Sequence, residues 1–309
     1  MHRLIVPGLF EPPAGGALPE TPLLDHLAGR GDVVRETPAG YEVLLAAAFG
    51  LEAGEAEVPT GALLANLHHE RTPAGEWACV APVHLHVDRD RLLLFPVEAA
   101  RVDADAVVSA LNDHFREEGV CFHATPEGPW LLALNTPRSV KTCSIDQVAG
   151  RSLDPFMPAG EDARWLRGIM NESQMLLHRE QLDESVNSLW FWGFGSLPVA
   201  ARRPLEMFSN ELISRAFYAA VSGDCAAGDT SLFVTGQCLE GRHSGDMRRW
   251  ISGVRETEER LRDLLPLRGE PLLLQSDNGV SLRYSSPMRF RFWQSGGFAK
   301  LLQTRDFQG

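Results

Sequence analysis

Apolar and polar positions divide the chain into segments of different period. Leu4-Ile5-Val6, stopped by Pro7-Gly8, reads as a first buried strand. Leu23, Leu24, Leu27 and Ala28 recur at helical spacing and stop at Gly29 and Gly31, and 41–49 is a second helical run ended by Gly50. The stretch 52–75 is loop-rich with one short helical piece. From residue 81 the period changes. Val83, Leu85 and Val87 alternate with His84, His86 and Asp88, the mark of a half-buried strand. Arg89-Asp90 is a turn into a second strand at 92–95. Asp103 can cap a helix whose apolar face is Val107, Val108, Leu111 and Phe115. Two more strands, near 120–124 and 130–134, complete a ββαββ order that predicts a small α+β unit.

The remaining residues alternate helix and strand. A helix over 161–178 carries Trp165, Leu166, Ile169, Met170, Leu176 and Leu177. The apolar run 188–192, ended by Gly193-Phe194-Gly195, predicts a buried strand running into a loop. A helix near 208–221, a strand at 232–235, a long amphipathic helix over 247–265 and a strand at 272–274 follow. This alternation predicts an α/β core with a mainly parallel sheet flanked by helices. The expected boundaries make residues 1–80 and 151–309 a discontinuous core and 81–150 an inserted α+β domain.

Composition narrows the function classes. With 309 residues, 44% hydrophobic and 23% charged, the chain has the makeup of a globular protein with a substantial core. Its formal charge of −12 comes from scattered acidic residues, which argues against nucleic acid as a partner. No apolar run reaches the roughly 18 residues that cross a bilayer, so no membrane is expected. The amino terminus lacks the apolar core of a signal peptide, and the expected location is the cytoplasm. Cys79, Cys121, Cys143, Cys225 and Cys238 are dispersed without a C-x-x-C pair, as buried thiols would be.

Four segments together carry a resemblance: 171–178 (N-E-S-Q-M-L-L-H), 186–198 (V-N-S-L-W-F-W-G-F-G-S-L-P), 81–94 (A-P-V-H-L-H-V-D-R-D-R-L-L-L) and 111–115 (L-N-D-H-F). The chain resembles bacterial regulatory proteins of the RpfE type. That family is in turn similar to archaeal-type cofactor-independent phosphoglycerate mutases of the alkaline phosphatase superfamily. The resemblance implies an alkaline-phosphatase-like core built from both ends of the chain, with a smaller domain inserted. It also implies a test of the chemistry. Such mutases hold two divalent metals, manganese or zinc among the suitable ions, on Asp and His side chains beside a serine that takes the phosphoryl group.

Most of those positions are changed. The Asp-Gly pair that should end the first strand is Pro7-Gly8, with Glu11 three residues beyond. The Ser-Asp pair is missing around Gly40-Tyr41-Glu42, and Thr37 is the nearest hydroxyl that could stand in as nucleophile. His243-Ser244-Gly245-Asp246 is retained, but Leu239 occupies the preceding Asp position. The later Asp-His pair is Asp277-Asn278. His243 and Asp277 are the surviving metal candidates. Asp246 as a helix cap and Asn278-Gly279 as a turn are the structural alternative.

Other residues carry two readings each. Arg151, Arg202 and Arg203 could bind an anion, since guanidinium groups suit phosphate and carboxylate, or lie on the surface. Trp190 and Trp192, on one side of their strand and next to Asn187, form either a ligand surface or core packing. His84 and His86 share a strand face with no evident third ligand. The expectation is a degenerate phosphoglycerate-mutase-like protein without cofactor or catalytic residue. It would act in regulation or binding, toward an anionic small molecule or a protein partner. The alternative is a metal-dependent, cofactor-independent mutase or phosphatase acting on small phosphorylated metabolites. A purely structural subunit is the third possibility.

Overall fold

The structure is a computed structural model describing all residues except 52–56, 69–74, 98–101, 181–184, 199–203, 222–227, 266–269, 286–296 and 303–309. The chain forms two compact units. Unit 1 comprises Met1–Gly50, Ala201–Ser214 and Asp224–Gly309, and unit 2 comprises Leu51–Ala200 and Arg215–Gly223.

Unit 1 is built on a six-stranded mixed sheet. Its strands are β1 (His2–Ile5), β2 (Asp32–Arg35), β8 (Glu206–Phe208), β9 (Ser231–Val234), β10 (Leu272–Gln275) and β11 (Val280–Tyr284), in the order β2-β11-β10-β1-β9-β8. Four neighbours, β10, β1, β9 and β8, run parallel, with Leu4 beside Leu274 on one flank and Phe233 on the other. The β10–β11 and β11–β2 pairs are antiparallel, so the mainly parallel sheet expected from the alternation is mixed. The reason is local. Asn278-Gly279 makes a tight turn, with Gly279 at φ +81°, and the Asn278 side chain accepts a hydrogen bond from Val280 N–H at 3.2 Å. The chain therefore returns beside β10 with no crossover helix.

The helices α1 (Pro22–Arg30) and α9 (Met247–Leu264) turn Leu24, Leu27, Trp250, Val254 and Leu261 into a core shared with Leu4, Leu274 and Leu282 of the sheet. Their 3.6-residue apolar stripe is what the sequence pattern displayed. Asp246 does cap α9, accepting from the N–H groups of Arg248 at 2.9 Å and Arg249 at 3.3 Å.

Unit 2 is an antiparallel sheet covered by helices. Its longest strand is β3 (Glu76–Asp88). One stretch of β3 pairs with β4 (Arg91–Pro96) and another with β6 (Trp130–Leu134), which continues to β5 (Val120–His123). Against β3 lies β7 (Ser188–Gly195), pairing Cys79 with Trp192 and Ala81 with Trp190. The helices α3 (Thr60–His68), α4 (Ala104–His114) and α6 (Ala163–Glu180) lie against these strands. The predicted ββαββ run is therefore present, but the unit is larger than 81–150. A boundary at residue 80 would cut β3 in two, and the 188–192 run, assigned to the core by its alternation, is hydrogen-bonded to β3 instead. Period alone cannot tell which sheet a fully apolar strand joins.

Burial along β3 also departs from simple alternation. Residues 77–83 are buried on both faces, whereas Val87, expected inward, is 69% exposed near the Arg89-Asp90 turn. Helix α3 lies so close to β3 that a Cβ on Gly61 would fall 2.4 Å from the Ala78 Cα. Only glycine allows that approach.

Candidate functional site

In open α/β sheets, ligands collect outside the carboxyl ends of the parallel strands. In unit 1 that edge is formed by Val6-Pro7-Gly8 after β1, Thr235-Gly236 after β9 and Ser276-Asp277 after β10. Gly8 adopts φ +75° and sits against the Leu239 backbone, where a Cβ would come within 2.8 Å. This conformation aims its N–H at Asp277 Oδ1, 2.7 Å away, while its carbonyl accepts from Trp250 Nε1 at 3.0 Å. The Pro-Gly pair thus fastens the end of β1 to the end of β10.

The other Asp277 oxygen faces a cation. Helix α8 (Gln237–Ser244) begins directly after β9 and carries Arg242. Arg242 Nη1 lies 3.0 Å from Asp277 Oδ2, and the same nitrogen is ion-paired to Glu11 Oε2. The three side chains are only 14%, 12% and 21% exposed for Arg242, Asp277 and Glu11, so water screens the cluster little. Burial acts to lower the Arg242 pKa, but Asp277 and Glu11 outweigh it and hold the guanidinium above the ordinary arginine value. Arg242 Nη2 is also 3.3 Å from His243 Nε2. A guanidinium only donates, so this contact sets Nε2 as the acceptor.

A second group of carboxylates lines the same edge near β9. Glu211 Oε1 accepts from Gly236 N–H at 2.7 Å, and Thr235 Oγ1 donates to Glu256 Oε2 at 2.6 Å. Burial raises the Glu211 pKa; the Gly236 hydrogen bond opposes this and the charges of Glu240 and Glu256 reinforce it. Glu240 is in turn ion-paired with Arg249. Cys238, buried beside this group, is pushed far above the ordinary thiol range by burial, with Glu256 and Asp277 adding to the effect. Burial and this upward shift both act against the thiolate form that a nucleophile needs.

The structure places the residues singled out from sequence as follows. Asp277 and His243 both meet Arg242. Thr37 is exposed in the loop after β2, one residue from Glu36, whose N–H donates to the Gly279 carbonyl at 2.9 Å. Arg151 is exposed. Arg202 and Arg203, like Cys225, lie outside the described residues. Asn187 extends the β7–β3 ladder with its side chain, accepting from Leu85 N–H at 2.7 Å and donating to the Leu85 carbonyl at 2.9 Å. Trp190 and Trp192 are 1% and 3% exposed, and Trp190 Nε1 donates to the Cys143 carbonyl at 2.9 Å. All three take part in the hydrogen bonding and packing of unit 2. His84 Nδ1 contacts the Ser185 carbonyl at 3.2 Å. Cys121 is exposed, unlike the buried thiol expected there. Among the described residues, no group of three or more His, Cys, Asp and Glu side chains is arranged to hold a metal ion.

Sequence reasoning missed two residues of consequence. Arg242 stands immediately before the retained His243, and only its contacts with Glu11 and Asp277, 231 and 35 residues away, give it a role. Glu57 in unit 2 is a largely buried carboxylate that accepts from Gly193 N–H at 2.6 Å and Thr142 Oγ1 at 2.6 Å. Its signal in the sequence is slight, an acidic residue just before the apolar run of α3.

This geometry can be set beside solved structures. The fold is shared with a Pyrococcus horikoshii protein. That chain, PH0037, matches at a TM-score of 0.50 and 12% identity, covering 92% of this chain and 87% of its own. A cofactor-independent phosphoglycerate mutase from Thermoplasma acidophilum DSM 1728 matches at a TM-score of 0.38 and 12% identity, covering 93% and 89%. No protein-family model matches the chain, and no curated protein does. The RpfE-type resemblance therefore stands on its sequence segments alone. Among the described residues, no helix is long and apolar enough to cross a membrane.

Proposed function

We propose that this chain is a degenerate phosphoglycerate-mutase-like protein, with an alkaline-phosphatase-like core, that acts as a non-catalytic regulatory or binding protein. The observation that carries this reading is the seating of Arg242 between Glu11 and Asp277. Two-metal phosphoryl transfer needs carboxylates free to hold cations about 4 Å apart. Here Asp277, retained at the position of the later Asp-His pair, spends one oxygen on Gly8 and the other on a guanidinium. Between Glu11 and Asp277 a cation is already supplied by the chain itself.

The test is direct. Purified protein with manganese and 3-phosphoglycerate is followed for conversion to 2-phosphoglycerate, and its metal content is measured. The expected results are turnover far below about 1 per second, the low end of ordinary enzymes, and less than one metal per chain. Turnover at or above that rate, or two tightly held metals, would establish the rival reading of a metal-dependent mutase or phosphatase. Thermal-shift screening with anionic metabolites, run beside a pull-down, then separates a small-molecule ligand from a protein partner.

A further inference from the structure

We propose that Glu11, Asp277 and His243 form a cation site whose occupant is the chain's own Arg242, and that this side chain keeps divalent ions out. The proposal deepens the reading above, because it concerns the same strand edge. It attributes the expected lack of metal to an occupied site instead of a shortage of donors.

Three observations carry it. Glu11 Oε2 and Asp277 Oδ2 both converge on one atom, Arg242 Nη1, so the two carboxylates already share a single positive centre. His243 presents the lone pair of Nε2 to the same guanidinium, at 3.3 Å from Nη2. Asp277 is also braced as metal-binding carboxylates are, for its second oxygen accepts from Gly8 N–H at 2.7 Å and Ser276 Oγ at 3.2 Å. Two carboxylates and an imidazole are a donor set suited to manganese or zinc. With a guanidinium between them the donors stand at hydrogen-bond distance, 3.0 Å for Asp277, where metal bonds require about 2.0–2.2 Å. That spacing leaves these three side chains without a ready-made metal geometry. Removing the guanidinium leaves like charges facing each other across a sheltered gap, and closing on an ion relieves them.

The experiment uses full-length wild type, Arg242→Ala and Arg242→Gln, titrated with manganese chloride and followed by electron paramagnetic resonance and thermal melting. Both variants should bind one manganese per chain at least about 100-fold more tightly than wild type. Saturating ion should raise their melting temperature by about 5 °C or more, while wild type stays unmoved. Adding His243→Ala to Arg242→Ala should weaken binding by at least about tenfold, as expected on losing a ligand. If Arg242→Ala folds only with manganese present, the proposal is equally supported.

Two results overturn it. In one, the folded variants take up no ion, or Arg242→Ala stays unfolded with manganese while Arg242→Gln binds none. In the other, wild type binds manganese as tightly as the variants. Mutase turnover by wild type is a separate readout, so failure of the functional reading and failure of the cation-site assignment are told apart.

Discussion

The Arg242 guanidinium and the Asp277 carboxylate meet at 3.0 Å at the carboxyl edge of the unit 1 sheet, each less than one-sixth exposed. A pair sheltered to this degree costs more to break from one side than it contributes as a pair. Asp277→Ala strips Arg242 of one partner and Gly8 N–H of its acceptor. The expected loss is about 3–5 kcal/mol, measured as a fall in the denaturation midpoint with unchanged slope. A loss below about 1 kcal/mol would mean that water screens the pair as it does on open surfaces.

Glu258 on α9 supplies the cap that α1 lacks. Thr21 sits at the N-cap position without a side-chain capping bond. Glu258 instead accepts from Leu24 N–H at 2.7 Å and from Leu23 N–H at 3.1 Å. A buried carboxylate at a helix amino terminus satisfies two orphan donors and complements the helix dipole. Glu258→Ala should cost about 1.5–3 kcal/mol, and Glu258→Gln, which keeps one acceptor, distinctly less. Equal losses in urea titrations would show that only the side-chain volume matters.

Burial is the main cause raising the Glu57 pKa, and the hydrogen bonds from Gly193 and Thr142 only partly offset it. The sign of the linkage follows. A carboxyl whose folded pKa exceeds its unfolded value contributes stability that is complete below the unfolded pKa, about 4.3, and lost as pH rises through the folded one. Wild type should therefore lose stability over that window, and Glu57→Gln should flatten the dependence. Denaturant midpoints recorded at half-unit pH steps compare the two. Parallel curves would exclude Glu57 as a source.

Two helical glycines give opposite expectations for one substitution. Gly61→Ala on α3 drives a Cβ to 2.4 Å from the Ala78 Cα, whereas a Cβ on Gly168 of α6 meets nothing within 4 Å. Alanine improves helix propensity by about 1 kcal/mol at either place. The clash at Gly61 reverses that gain, for a net loss of about 1–3 kcal/mol, while Gly168→Ala should stabilise by up to about 1 kcal/mol. Thermal melts of the two variants read the signs. A stabilised Gly61→Ala would show that α3 does not lie against β3 as described.

Much of the local structure was readable in advance because it rests on near-neighbour physics. The apolar stripe of α9, the Asp103 cap of α4 and the Asn278-Gly279 turn each depend on residues a few positions apart. The site was less readable. His243 and Asp277 stood out by motif spacing, yet the guanidinium between them and Glu11 belongs to a residue that spacing passes over. Trp190 and Trp192 showed in sequence as an aromatic pair, and only burial decided between ligand surface and core.

What the sequence determined by itself was period, capping and turn chemistry, hence the identity of most helices and strands and the mixed α/β class. What only the tertiary structure decided was partnership: that β7 joins β3, that β11 folds back antiparallel, and that Arg242 reaches both Glu11 and Asp277. The physical reason is range. Helical and strand periodicity is set by dihedrals and burial within a few residues, whereas a strand's neighbour or a charge's counter-ion is chosen among groups hundreds of positions apart, by the packing of the whole sheet.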